Sequence, residues 1–148
     1  NIKKFKFLFD SVSDSTTCES GILTFITTGP REKRLEYMFN LSQLFKHFNI
    51  ESNKDITDTQ QVQAGISIFY KCKNSMKIVE EWFNMSQNYP EYFCGDPRVF
   101  PILKSIKQGP GFIDHRHDQS IWSVLCKIRD VNILTHDKNP IYQSHIRE

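Results

Sequence analysis

The chain has 148 residues, 39% of them hydrophobic and 24% charged, with a formal net charge of +2. That is enough chain for one domain with a proper core and too little to expect two. The interspersed charge excludes an electrostatic footprint for duplex nucleic acid, and no apolar run approaches membrane-spanning length, so no transmembrane segment is expected.

Taken in chain order, Lys3, Lys4 and Lys6 form a short basic cluster, read as a solvated face. Residues 21–28 are β-rich and closed by Gly29-Pro30, which predicts a strand and a turn. From 31 to 48 the apolar positions Leu35, Met38, Leu41, Phe45 and Phe48 step by three or four, predicting one helix or two short ones. Residues 49–58 are polar and aperiodic, a loop. Residues 62–70 read as a buried strand interrupted by Gly65. Asn74 or Ser75 can cap the next helix, with Met76, Val79, Trp82 and Phe83 as its expected buried face.

Residues 89–111 hold four of the six prolines and three of the six glycines. They predict a long irregular connection, of the kind often associated with substrate sites. Beyond it, Ile121, Val124, Leu125 and Ile128 fall at i, i+3, i+4 and i+7, which places a helix over 119–129. Residues 131–135 form a last short strand. Strand–helix alternation favours an α/β architecture with helices covering the sheet.

Cys18, Cys72, Cys94 and Cys126 are scattered, with no C-x-x-C pair, so neither a zinc site nor a disulfide framework is required. The chain reads as reduced and cytoplasmic, with no signal peptide. Two N-x-S sequons, at Asn40 and Asn84, fall in predicted helices. The first residue is Asn1 rather than Met, so the expectation is that the chain begins inside a longer reading frame.

The densest polar cluster is Asp114-His115-Arg116-His117-Asp118-Gln119, which turns at once into the helical pattern. Asp118 stands where an N-cap belongs. With the short apolar lead-in Phe112-Ile113 this predicts a strand end, a polar turn and a helix start, where α/β folds bind ligands. A metal site would need His115 and His117 to converge with a carboxylate, yet residues i and i+2 face apart on a strand. As a sugar or nucleotide site, Asp118 accepts from hydroxyls, Gln119 donates and accepts, and the helix N-terminus favours phosphate. A helix cap in a solvated polar loop is the plain structural alternative.

Gln61-Val62-Gln63-Ala64-Gly65 sets two small residues in a bulky strand, which marks either the close approach of a ligand or a bulge. Gly109-Pro110-Gly111 is a turn and not a phosphate loop, since no G-x-x-x-x-G-K-S/T follows. His136, after the last strand, is read as an exposed histidine. No G-x-S-x-G, H-E-x-x-H or Cys/His signature occurs.

Gln63-Ala64-Gly65-Ile66-Ser67-Ile68-Phe69, then Glu80-Glu81-Trp82, then Phe112-Ile113-Asp114-His115-Arg116-His117-Asp118-Gln119-Ser120-Ile121-Trp122-Ser123 together resemble the C-terminal half of GT-A-type (nucleotide-diphospho-sugar transferase) glycosyltransferases. The resemblance runs in order over roughly residues 21–129. Its most specific block, 115–120, is similar to the F-I-x-H-R-H-D-Q-S-I-x-S run of a poorly characterised group in bacteria and large DNA viruses. It implies a partial GT-A-like mixed sheet flanked by helices, with residues 1–148 a single domain and the C-terminal portion of a longer glycosyltransferase. It also implies a nucleotide-sugar donor and a glycan or other acceptor. Gln63, Ala64 and Gly65 would line the donor-sugar pocket, and Arg116 would bind substrate. Asp118, Gln119 and His117 are the implied catalytic candidates.

Such enzymes usually hold a divalent cation, Mn or Mg, on a D-x-D motif against the leaving diphosphate. This chain has no D-x-D: Asp10 and Asp14, or Asp55 and Asp58, have the wrong spacing. The cation and the nucleotide-binding half are therefore expected in the longer protein. The alternative is a catalytically inactive carbohydrate-binding or scaffold domain derived from such an enzyme.

Overall fold

The computed structural model describes residues 2–27, 29–30 and 33–135, with side chains from residue 6 onward. At the centre is a mixed sheet of β1 (Ile22–Ile26), β2 (Val62–Phe69) and β3 (Asn132–Leu134), in the order β2-β1-β3. β1 pairs antiparallel with β2 and parallel with β3. The middle strand, Ile-Leu-Thr-Phe-Ile, is buried on both faces, an environment its β-branched and aromatic side chains suit.

Leu23 and Phe25 face one way and pack with Leu8 and Val12 of α1 (Ile2–Ser13), four residues apart on one helical stripe. Each of those two side chains is at most 2% exposed, and burying it contributes on the order of 1.5–3 kcal/mol. No helix was expected at 2–13, where the lysines suggested only a solvated face. Both readings hold in part: Lys6 is exposed and pairs with Asp10 one turn on, while Leu8 and Val12 dock on the sheet.

Ile22 faces the opposite side, where it meets Val62, Ile78, Trp122 and Cys126. Trp122 and Cys126 belong to α7 (His117–Ile128), and Ile78 to α5 (Lys73–Asn88). Every residue from Ser120 to Cys126 is buried, so α7 is the central helix. One side meets the sheet. The other carries Ile121, Val124 and Leu125 into a second cluster with Leu44, Phe45, Ile50 and Met85. The expected burial of Ile121, Val124 and Leu125 is therefore found, and the molecule is a layered α/β structure.

The stretch expected to be one helix or two short ones forms α2 (Glu36–Phe39) and α3 (Ser42–His47). The expected loop at 49–58 contains α4 (Lys54–Thr57), started by the Asn53 side chain, which accepts from the Asp55 N–H at 3.1 Å. α6 (Pro90–Cys94) and a 3-10 turn (Pro101–Ser105), each opened by a proline, punctuate the irregular connection.

Two expectations about α5 are corrected. Its cap is Cys72, not Asn74 or Ser75: the Cys72 sulfur accepts from the Ser75 N–H, and the Ser75 hydroxyl accepts from the Cys72 N–H at 3.0 Å. Its buried stripe is Ser75, Ile78 and Met85, with Trp82 half-buried, whereas Met76, Val79 and Phe83 are exposed. The helix carries two apolar stripes, and the one bearing Trp82 wins because it meets Trp122 at 5.0 Å between ring centroids.

β2 is not the buried strand expected either. It is an edge strand, exposed over Gly65 and Ile66 and again at Phe69. After Thr24 pairs with Ser67, the next pair is Ile26 with Val62, so Phe25 alone stands opposite residues 63–66. Of the two explanations for the small residues, a bulge is present.

All four cysteines are free thiols, with Cys18 and Cys126 buried. Asn40 of the first sequon is buried at 1% exposure, closed to a glycosylating enzyme, while Asn84 is exposed. Among the described residues no helix is long and apolar enough to cross a membrane. Asn1 and His136 lie outside the described residues.

Candidate functional site

The residues leading into α7 are not a strand end, as expected, but a loop hung on α2. Met38 O accepts from the Ile113 N–H at 2.8 Å, and Phe39 O from the Arg116 N–H at 3.3 Å. The sheet contains no strand over 112–116. Gln63–Gly65 therefore lies on a strand and Asp118–Gln119 on a helix, and the two groups are not, as expected, at the ends of adjacent strands.

The start of α7 is fixed by Ser120, not by Asp118. The Ser120 hydroxyl accepts from the Arg116 N–H at 3.0 Å and donates to Phe39 O at 2.6 Å, tying the first turn to α2. The helix runs from His117, and the residue before it, Arg116, makes no side-chain cap. Asp118 is exposed in the first turn, where a carboxylate is favoured by the helix dipole. His117 is exposed with a backbone φ of 52°, an uncommon left-handed conformation for a non-glycine residue.

Gln119 is half-buried, and its side-chain nitrogen lies out of solvent without a hydrogen-bond partner. The Arg116 guanidinium sits 3.9 Å over the Phe39 ring. Burial lowers its pKa first and the nearby positive charge of Arg34 adds to this, while Asp114 opposes it.

His115 takes no part in a ligand set. It is 3% exposed, its Nδ1 accepts from the Leu41 N–H at 3.3 Å, and its Nε2 lies 2.6 Å from Tyr92 O. A neutral ring with the proton on Nε2 satisfies both contacts. Burial brings its pKa down to about 4, which keeps that neutral form at physiological pH.

Across from this corner lies the start of β2. The Val62 N–H donates to Ser123 Oγ at 2.7 Å, which fastens the strand carrying Gln63-Ala64-Gly65 to α7. The Gln63 side chain donates to Ile26 O at 3.3 Å, and Ala64 is half-buried. Gly65 is exposed, and a Cβ built on it would meet nothing within 4 Å. No neighbouring chain therefore demands the glycine, and the space above it is open.

Sequence reasoning missed a buried polar network behind this corner. Lys127 pairs with Glu36, whose carboxylate also accepts from Ser123 Oγ and, at 2.6 Å, from the Asn40 side chain. Lys127 further donates to Thr59 Oγ1 and Gln60 O, both at 2.8 Å. The signal was present as i, i+4 pairs, Ser123 with Lys127 and Glu36 with Asn40, within otherwise apolar stretches. Glu36 and Ser123 are fully buried, so this serine, lysine and carboxylate join α2 to α7 rather than meet a substrate.

The described carboxylates form no set that fits a divalent cation. Among the described residues no group of three or more His, Cys, Asp or Glu side chains could hold one. Asp14 accepts from the Thr16 N–H and hydroxyl, Asp10 pairs with Lys6, and Asp58 with Lys54. Compared with protein-family models, curated proteins and solved structures, the chain matches none.

Proposed function

We propose that this chain is the acceptor-side portion of a GT-A-like glycosyltransferase, acting with a nucleotide-sugar donor. The reading rests on the resemblance of residues 112–123 and 63–69 to such enzymes. One observation supports it above the rest. The Val62–Ser123 hydrogen bond joins the strand of Gln63-Ala64-Gly65 to the helix opened by Asp118-Gln119. Ser123 lies four residues, about 6 Å along the axis, beyond Gln119 on the same helix face. The bond spans 61 positions of the chain and ties the base of the Gln63-Ala64-Gly65 strand to α7.

In glycosyl transfer an acceptor hydroxyl oxygen forms a bond to the anomeric carbon, the bond from that carbon to the diphosphate oxygen breaks, and the hydroxyl proton is released. The exposed Asp118 carboxylate accepts a hydrogen bond from a sugar hydroxyl. Gln119 offers an amide donor that no protein group uses. Arg116 contributes positive charge to the substrate, His117 stands exposed beside it, and the open face of Gly65 gives the donor sugar room. A divalent cation has no ligand set among the described residues, so no step is assigned to one.

The test measures turnover with a panel of nucleotide sugars and Mn²⁺, for the 148-residue chain and for a longer protein carrying a D-x-D half. The chain alone should transfer little, since losing the charge stabilisation of the diphosphate costs several kcal/mol of barrier, on the order of thousands-fold in rate. In the longer protein Asp118→Asn should cut turnover with the fold intact, because Asp118 is exposed and makes no cap bond. Saccharide binding without transfer in the longer protein would favour an inactive carbohydrate-binding domain. Undiminished turnover in Asp118→Asn would reduce that residue to a helix-dipole charge.

A further inference from the structure

A second feature lies on the other side of α2 from the Arg116 corner. A cleft of about 350 Å³ is lined by Glu19, Lys77, Glu81 and Arg129, the last two paired with each other at 2.6 Å. The larger cleft, of about 520 Å³, opens between α3, α4 and the loop before Gly111, and its size falls within the range of small-molecule sites.

Its walls are held in place. The Ser42 hydroxyl accepts from the Gly109 N–H at 3.0 Å, and the Ser42 N–H donates to Gln108 Oε1 at 2.8 Å, which clamps the loop to the start of α3. Gly111 has a φ of 80°, and a Cβ there would come within 2.8 Å of the Tyr37 ring. Only glycine fits, so backbone presses directly on Tyr37 and fixes one aromatic wall. Phe45, 7% exposed, forms another.

The charge at the mouth is unbalanced. Three lysines line the cleft against two carboxylates. Lys54 and Asp58 pair with each other at 3.3 Å, which leaves Lys46 and Lys107 facing Glu51. Lys46 lies one turn from Ser42 on the same face of α3.

We propose that this cleft binds an anionic saccharide, its ring against Tyr37 and its charged group held by Lys46 and Lys107. Aromatic walls suit the apolar face of a sugar ring, and paired ammonium groups suit a carboxylate or phosphate on it. Tyr37 and Phe39 flank Met38 on α2, one against Gly111 and the other beneath Arg116, so residues 111–116 run along α2 from the cleft to the Arg116 corner. Taken with the glycosyltransferase reading, on which this step rests, the cleft is the acceptor subsite and the acceptor is an acidic glycan.

The experiment is calorimetric titration of the chain with glucuronate, glucose 6-phosphate, glucose and inorganic phosphate. Both charged sugars should bind at least about tenfold more tightly than glucose and than inorganic phosphate, and the stronger of the two distinguishes a uronate acceptor from a phosphorylated one. The exposed pair Lys46→Gln and Lys107→Gln should bring both down to the level of glucose, with the thermal midpoint unchanged. Equal binding of glucose, equal binding of phosphate alone, no binding at all, or an unaffected double variant would each overturn the proposal. The glycosyltransferase reading fails separately, by absent transfer from any donor in the longer protein. If transfer occurs but is indifferent to the two lysine changes, the acceptor assignment fails and the reading stands.

Discussion

Replacing Lys127 with Met tests whether the buried ion pair behaves as one. The Lys127 side chain is 9% exposed and that of Glu36 is 0% exposed, so the variant leaves a carboxylate out of water with only the Asn40 and Ser123 donors. Stranding one partner of such a pair typically costs about 3–5 kcal/mol. Thr59 Oγ1 and Gln60 O lose their donor as well, which puts the expectation at the upper end. For a chain near 150 residues that corresponds to a fall in thermal midpoint of roughly 6–20 °C. Urea unfolding followed by fluorescence reads it directly, since Trp122 is 2% exposed and packs in the core between α7 and the sheet. The double variant Glu36→Leu with Lys127→Met should recover a large part of the loss, because no unpaired charge remains. A loss below about 1 kcal/mol for Lys127→Met would refute the reasoning and make the pair equivalent to a surface salt bridge.

Stability should also fall in mild acid through His115. Its pKa is brought down to about 4 in the folded chain, against about 6.5 when unfolded. The stability it contributes is therefore complete above pH 6.5 and is lost as pH drops toward 4, by roughly 3 kcal/mol. Urea midpoints from pH 7 to 4 should slope steeply in the natural chain and less in His115→Gln, and parallel slopes would remove His115 from the account. Gly65→Ala should leave the unfolding free energy from urea titration within about 0.5 kcal/mol, as its Cβ points into open space. On the proposed glycosyltransferase reading, the same change in a longer protein carrying a D-x-D half should raise KM for a nucleotide sugar, and an unchanged KM would remove Gly65 from the proposed donor pocket.

What could be read from the residues varied with how local the cause was. α7 was legible because Ile121, Val124 and Leu125 repeat at helical spacing and all three are buried. Its cap was not, because Ser120 acts through Phe39 O, a partner 81 positions away. α5 was legible as a helix, but two apolar stripes competed and only the meeting with Trp122 selects Ile78 and Met85 over Met76, Val79 and Phe83. α1 was not legible, because its lysines mark a solvated face while Leu8 and Val12 gain their meaning only from packing on Leu23 and Phe25 of the sheet. At the candidate site, Asp118 and Gln119 were visible as a polar run. The Glu36–Ser123–Lys127 network was not, since each member reaches the others only after α2 and α7 pack together.

The bulge in β2 has a consequence of parity. In a regular strand, side chains an odd number of positions apart face opposite sides. Val62 and Phe69 are seven positions apart, yet Val62 packs in the Trp122 cluster and the Phe69 ring lies 5.7 Å from Trp122. Four residues set against Phe25 insert an odd excess, which turns one end of the strand over so that both ends address α7. Residues 63–66 therefore behave as a spacer whose length, more than its composition, sets the strand's handshake with the helix. Adding or removing one residue there would rotate either Val62 or Phe69 to the wrong face, while a change of two would preserve both.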